Sequence, residues 1–104
     1  MSRIYPGDYG ILITYEIASG LTAQQVTDAT LIEFTIISPE TGSINTVTAT
    51  RNVLQLQYTT LPGEIEEAGD YEIWPWLQWG SVTGKWLDPM YLSVTPKNEK
   101  IVTA

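Results

Sequence analysis

The sequence predicts an all-β fold, an antiparallel sandwich or small barrel of about seven short strands. Three observations carry that expectation. Apolar and polar residues alternate with a period of two along most of the chain, and the residues that alternate are the Thr, Ile, Val, Tyr and Trp of strand-forming surfaces. Turn residues recur about every ten positions. No window carries an apolar stripe at helical spacing.

In chain order, Gly10–Ile17 sets Ile11, Ile13, Tyr15 and Ile17 against Leu12, Thr14 and Glu16, between the turn signals Pro6-Gly7-Asp8 and Ser19-Gly20. Thr22–Val26 reads as a short strand or a turn. Leu31–Ser38 alternates cleanly, with Ile32, Phe34 and Ile36 inward and Glu33 and Thr35 outward. Ser38-Pro39-Glu40-Thr41-Gly42 is a hairpin loop, followed by strands Ile44–Thr50 and Val53–Thr60 joined at Arg51-Asn52, with Leu54, Leu56 and Tyr58 on the inner face. Leu61-Pro62-Gly63 breaks the pattern, and Glu64–Ala68 is the place expected to form one helical turn. In Asp70–Trp79, Tyr71, Ile73, Pro75, Leu77 and Trp79 share one face, and Glu72, Trp74, Trp76 and Gln78 share the other. Pro75 is discordant, because proline donates no ladder bond, and a bulge there would invert the faces from Trp76 onward. Gly80–Gly84 turns the chain, and Lys85–Val94 returns with Met90, Leu92 and Val94 inward. The expected organisation is one domain over residues 1–95 and a loose or partner-docked tail over 96–104.

With 104 residues, the chain suffices for one core and not two. It holds no His and no Cys, which removes imidazole acid/base chemistry, thiol nucleophiles, disulfides and the usual zinc, haem and iron–sulfur ligands. No cofactor is expected, and no enzymatic activity. Twelve acidic residues outweigh five basic ones, for a net charge of -7, so phosphate recognition and nucleic-acid binding are not expected. No stretch approaches a membrane span and the N-terminus lacks a signal-peptide core, so the expectation is a soluble product made in the cytosol.

The acids Glu64, Glu66, Glu67, Asp70 and Glu72 are dense enough to suggest calcium, but their spacing is not that of an EF-hand loop, and a solvated acidic loop is the plainer reading. Gly69-Asp70-Tyr71 entering a strand resembles the tyrosine corner of immunoglobulin-like sandwiches, in which the hydroxyl bonds backbone just upstream; Tyr71 is therefore a structural candidate. Four Trp crowd into Trp74, Trp76, Trp79 and Trp86, more than the two that such a core absorbs. With Trp74 and Trp76 outward beside Tyr91 and Leu87, they form an exposed aromatic patch; otherwise they cover a second small cluster or the tail.

The order of signals carries a resemblance. Ile4-Tyr5-Pro6-Gly7-Asp8-Tyr9-Gly10 leads to a first strand, and the segment from Ala29 through Phe34 to Ser38-Pro39-Glu40-Thr41-Gly42 follows. Ala49, Tyr58-Thr59-Thr60 and Glu67-Ala68-Gly69-Asp70-Tyr71 complete the pattern. Over residues 4 to about 95 the chain resembles the small immunoglobulin-like proteins of tailed bacteriophages and is similar to the N-terminal domain of phage upper baseplate proteins. The resemblance implies an immunoglobulin-like antiparallel β-sandwich and a virion structural part, assembled in the bacterial cytoplasm as capsid decoration, connector, tail or baseplate component. Its implied partners are other virion proteins, in a homo- or hetero-oligomeric assembly. Pro75 and the dense Trp segment depart from the family pattern.

Trp74, Trp76, Tyr91 and the tail pair Ile101-Val102 are the expected contact residues, and the arm around Tyr5 and the tail are expected to add strands to neighbours. The rival expectation is a carbohydrate-binding module that aids adsorption to the host surface, with Trp74, Trp76 or Trp86 stacking on sugars. A small acidic inhibitor that mimics nucleic acid fits the charge but not the aromatic strands.

Overall fold

A computed structural model describes residues 3–18 and 20–96. Its elements are β1 (Leu12–Glu16), α1 (Ala23–Asp28), β2 (Leu31–Ile37), β3 (Ile44–Thr48), β4 (Thr50–Asn52), β5 (Gln55–Thr59), β6 (Gly69–Trp79), β7 (Thr83–Trp86) and β8 (Met90–Val94). Two antiparallel sheets face each other as an all-β sandwich. One has the order β1-β5-β4; the other runs β3-β2-β6, with both β7 and β8 on the far edge of β6.

The alternation read from sequence sets the faces. Ile32, Phe34 and Ile36 from β2, and Tyr71, Ile73 and Leu77 from β6, meet Ile13 and Leu56 of the smaller sheet in one buried core. Val26 and Ala29 close the end where β6 finishes, and Ile65 and Val94 lie at the end where it begins. A fully buried Phe such as Phe34 stabilises by about 1.5–3 kcal/mol through area removed from water.

Pro75 produces no bulge. The β2–β6 register runs unbroken from Leu31↔Gln78 to Ile37↔Glu72, with Phe34 opposite Pro75. In an antiparallel strand, the N and C=O of one residue point to the same side, and the Pro75 carbonyl accepts from Leu87 N at 3.0 Å on the side away from β2. Its missing N–H therefore falls in the gap between β7 and β8, where Leu87-Asp88-Pro89 interrupts the edge. The faces of Trp76 and Gln78 stay as the alternation assigns them, and the expected single return strand Lys85–Val94 is two strands instead.

Four further expectations are corrected. Thr22–Val26 is neither strand nor plain turn: it enters α1, where Thr22 Oγ1 accepts from Gln25 N and Gln25 Oε1 accepts from Thr22 N, a reciprocal capping box. Glu64–Ala68 forms no helical turn, because Glu64 turns back to accept from Leu61 N at 2.6 Å and from the Tyr58 hydroxyl. Ile44–Thr50 is not one strand: β3 pairs with β2 and β4 with β5, and the chain changes sheets across buried Ala49, whose N donates to Ile32 O. The hairpin turn after it lies at Val53-Leu54 rather than Arg51-Asn52, with Val53 at φ 58.

Candidate functional site: the outer face of the larger sheet

Strand register determines which side chains share the outer face. Trp76 lies opposite Glu33 on β2 and Trp86 on β7; Trp74 lies opposite Thr35; Glu72 lies opposite Ile37 on β2 and Tyr91 on β8. Ile44 of β3, across from Ile37, continues the outermost row. Directly opposed residues have Cβ atoms about 4.5–5.5 Å apart, so each row is a chain of touching neighbours.

Trp76 and Trp86 stack with ring centroids 4.9 Å apart and planes tilted by 55°. A tilted pair at this separation adds about 0.5–1.5 kcal/mol beyond area burial. The Trp76 ring can lie flat on the sheet because Gly84 is beneath it: a Cβ there would stand 2.2 Å from Cζ2 and Cη2 of the indole. Trp76 Nε1 donates to Gln78 Oε1 at 3.2 Å, and Trp74 Nε1 to Glu72 Oε1 at 3.2 Å, each tying a ring to the next outward residue of its own strand. Trp74 and Trp76 are thus half-buried by their neighbours, whereas Trp86 is 54% and Tyr91 60% exposed.

Leu87, expected in this patch, belongs to the core instead. Trp79 faces inward and is half-buried against the core, and its Nε1 donates to Gln25 O at 2.8 Å, holding α1. Trp74, Trp76 and Trp86 sit on the outer side of the sheet and Trp79 is only partly covered at the end of β6, so no Trp is fully buried. Ile101 and Val102 lie outside the described residues. The arm around Tyr5 is tied to its own chain: Ile4 O accepts from Thr95 N at 2.7 Å, Gly7 N donates to Ile65 O, and Asp8 Oδ2 accepts from Tyr5 N.

The acidic segment works as a set of pins. Glu67 accepts from Glu40 N, Thr41 N and the Thr41 hydroxyl, fixing the β2–β3 loop, and the hydroxyl bond foremost holds its carboxyl below the usual range, with burial acting against it. Glu64 accepts from Tyr58 Oη and Asn45 Nδ2, and Asp70 from Ser93 Oγ. Burial first, then the Glu64 bond and charge, push the Tyr58 hydroxyl up to about 12. Tyr71 is 1% exposed and its hydroxyl accepts from Glu66 N at 3.1 Å and Glu67 N at 2.9 Å. Among the described residues, no group of three His, Cys, Asp or Glu stands close enough to hold a metal ion.

A groove of about 520 Å3 runs between α1 and β7, lined by Leu21, Gln25, Asp28, Trp79, Thr83 and Lys85. It mixes polar and apolar groups without a convergent set of donors. Comparison with protein-family models, curated proteins and solved structures gives no match.

Proposed function

We propose that this chain is a non-enzymatic structural protein of a tailed-phage particle, made in the bacterial cytoplasm, that joins other virion proteins through the outer face of its larger sheet. The observation that carries the docking role is the Trp76–Trp86 pair seated over Gly84, with Tyr91 two rows away. Exposed aromatic rings that are held in place before binding lose little side-chain freedom on contact, and such residues dominate interface energetics. Many copies on one particle let a modest contact hold. The immunoglobulin-like assignment is supported by the order β1-β5-β4 facing β3-β2-β6-β8 and by the Tyr71 hydroxyl bonding backbone just upstream.

Quantitative mass spectrometry of purified virions from the encoding phage tests this reading. Abundance near that of the major capsid protein means decoration, and a much smaller copy number means connector, tail or baseplate. Absence from clean particles overturns the virion role.

The open Trp86 ring supports a second reading, a carbohydrate-binding module that aids adsorption. A saturable change in Trp fluorescence on adding host polysaccharide, lost in Trp86→Ala, would favour it over the first.

A further inference from the structure

Among the described residues, the charged side chains that the strands of the aromatic face aim outward are of one sign. Glu33 stands beside Trp76, and Glu72 stands between Ile37 and Tyr91 with its carboxylate beside the Trp74 indole N–H. β2, β3, β6 and β8 contain no Lys or Arg at all. Lys85, the one basic residue on β7, alternates with Gly84 and Trp86 and so points to the other side, where its Nζ lies near Gly20. Arg51 is on the opposite sheet and donates to Ala29 O at 2.8 Å, at the end of α1. Among the described residues, the strands of the outer face therefore present π-faces and carboxylates outward and no Lys or Arg.

We propose that the occupant of this face is an arginine-bearing segment of another protein, one guanidinium stacking on the Trp76–Trp86 pair while it donates to the Glu33 carboxylate. This inference rests on the docking role above and names the chemistry of the partner. A guanidinium is planar, weakly hydrated and always charged, so it lies on an indole and forks to a carboxylate at once, which the compact ammonium of Lys does less well. Glu33 and Trp86 flank Trp76 on either side, the separation of one strand each, within reach of one Arg side chain and its stem. A second copy of this chain fits the face poorly. Pairing the face with itself brings two sets of carboxylates together with no Lys or Arg from its own strands to offset them, and like charges across an interface cost affinity.

The experiment titrates the full chain with a synthetic Arg-Gly repeat peptide, following Trp fluorescence and calorimetry, beside a Lys-Gly peptide of equal length. Variants are Glu33→Gln, Trp86→Ala and, as a charge control on the other sheet, Glu16→Gln; a retained cooperative thermal transition above the titration temperature shows that each is folded. The expected result is saturable binding that is tighter for Arg than for Lys. It weakens by about threefold to fivefold in Glu33→Gln and in Trp86→Ala, the worth of one exposed cation–π contact or ion pair. Glu16→Gln should bind like the parent.

Equal loss in Glu16→Gln and Glu33→Gln would mean attraction to net charge alone and overturn the site. So would equal affinity for the two peptides, or no saturable response. Concentration-dependent self-association abolished by Trp86→Ala would assign the face to a second copy instead. If the peptide fails while Trp86→Ala still prevents incorporation into particles, the docking role stands and only the cationic partner falls.

Discussion

Tyr71→Phe isolates one hydroxyl at the point where the loop over residues 61–68 meets β6. The ring stays in the core, since Phe fills the same space, so the change removes only the acceptor for Glu66 N and Glu67 N. An ordinary hydrogen bond contributes about 0.5–1.5 kcal/mol net, and a buried donor left without a partner costs about 1–3 kcal/mol. Both amides are only partly buried, so water recovers some of each, and the two together amount to about 2 kcal/mol. With a urea m-value of about 1–1.5 kcal/mol/M for a domain of this size, the midpoint should fall by about 1.3–2 M at unchanged m. Equilibrium urea unfolding followed by Trp fluorescence reads this directly. Tyr9→Phe, on an exposed ring, should move the midpoint by less than about 0.4 M. A Tyr71→Phe midpoint within that same margin would refute the reasoning that this hydroxyl secures the loop.

Three other outcomes follow from local geometry. Gly84→Ala should lift the Trp76 ring off the sheet, changing the near-ultraviolet circular dichroism of the Trp76–Trp86 pair and lowering stability by about 1 kcal/mol or more; an unchanged spectrum would contradict the close approach. Val53→Asn should raise stability by about 0.5–1 kcal/mol in thermal unfolding, because a β-branched residue at φ 58 is strained, Asn tolerates that region and the Val side chain is exposed. Tyr58 keeps in the native state a proton that the unfolded chain releases near pH 10, so its contribution is full below about 10 and is lost as pH rises through about 12. Absorbance titration should show that late ionisation in the native chain, and Glu64→Gln should bring it earlier.

The strands were legible where local alternation and tertiary pairing agree. β2 reads Leu31–Ile37 with alternate residues buried, and β6 keeps its alternation through Pro75 because the proline nitrogen faces the break between β7 and β8. Pairing was not legible. The run from Val47 to Thr50 alternates without a break, yet the chain leaves one sheet for the other at Ala49, a choice made by partners distant in sequence.

Helix α1 escaped because six residues with one buried side chain, Val26, make no stripe; the spacing of Thr22 and Gln25 was the available signal. At Glu64–Ala68 the expected helical turn fails for a different reason. Helix-favouring Glu residues there serve side-chain bonds to Leu61 N, Tyr58 and the β2–β3 loop.

The candidate face was half legible. Outward Trp74 and Trp76 follow from period two, but Trp86 joins them only through the β6–β7 register, and Leu87 leaves the patch because the next residue of an edge strand points inward. The role of Gly84 as the floor under an indole is invisible without that register.

On the function proposed above, the outer face of the larger sheet is covered when the protein does its work. Oxidative footprinting of the free chain and of assembled particles, read at Trp86 and Tyr91 by peptide mass spectrometry, tests it most directly. Both rings should be modified readily in the free chain and strongly protected in the particle, with exposed Tyr9 as the reference. Equal modification of Trp86 and Tyr91 in the two states would mean that this face stays open to solvent and that docking occurs elsewhere.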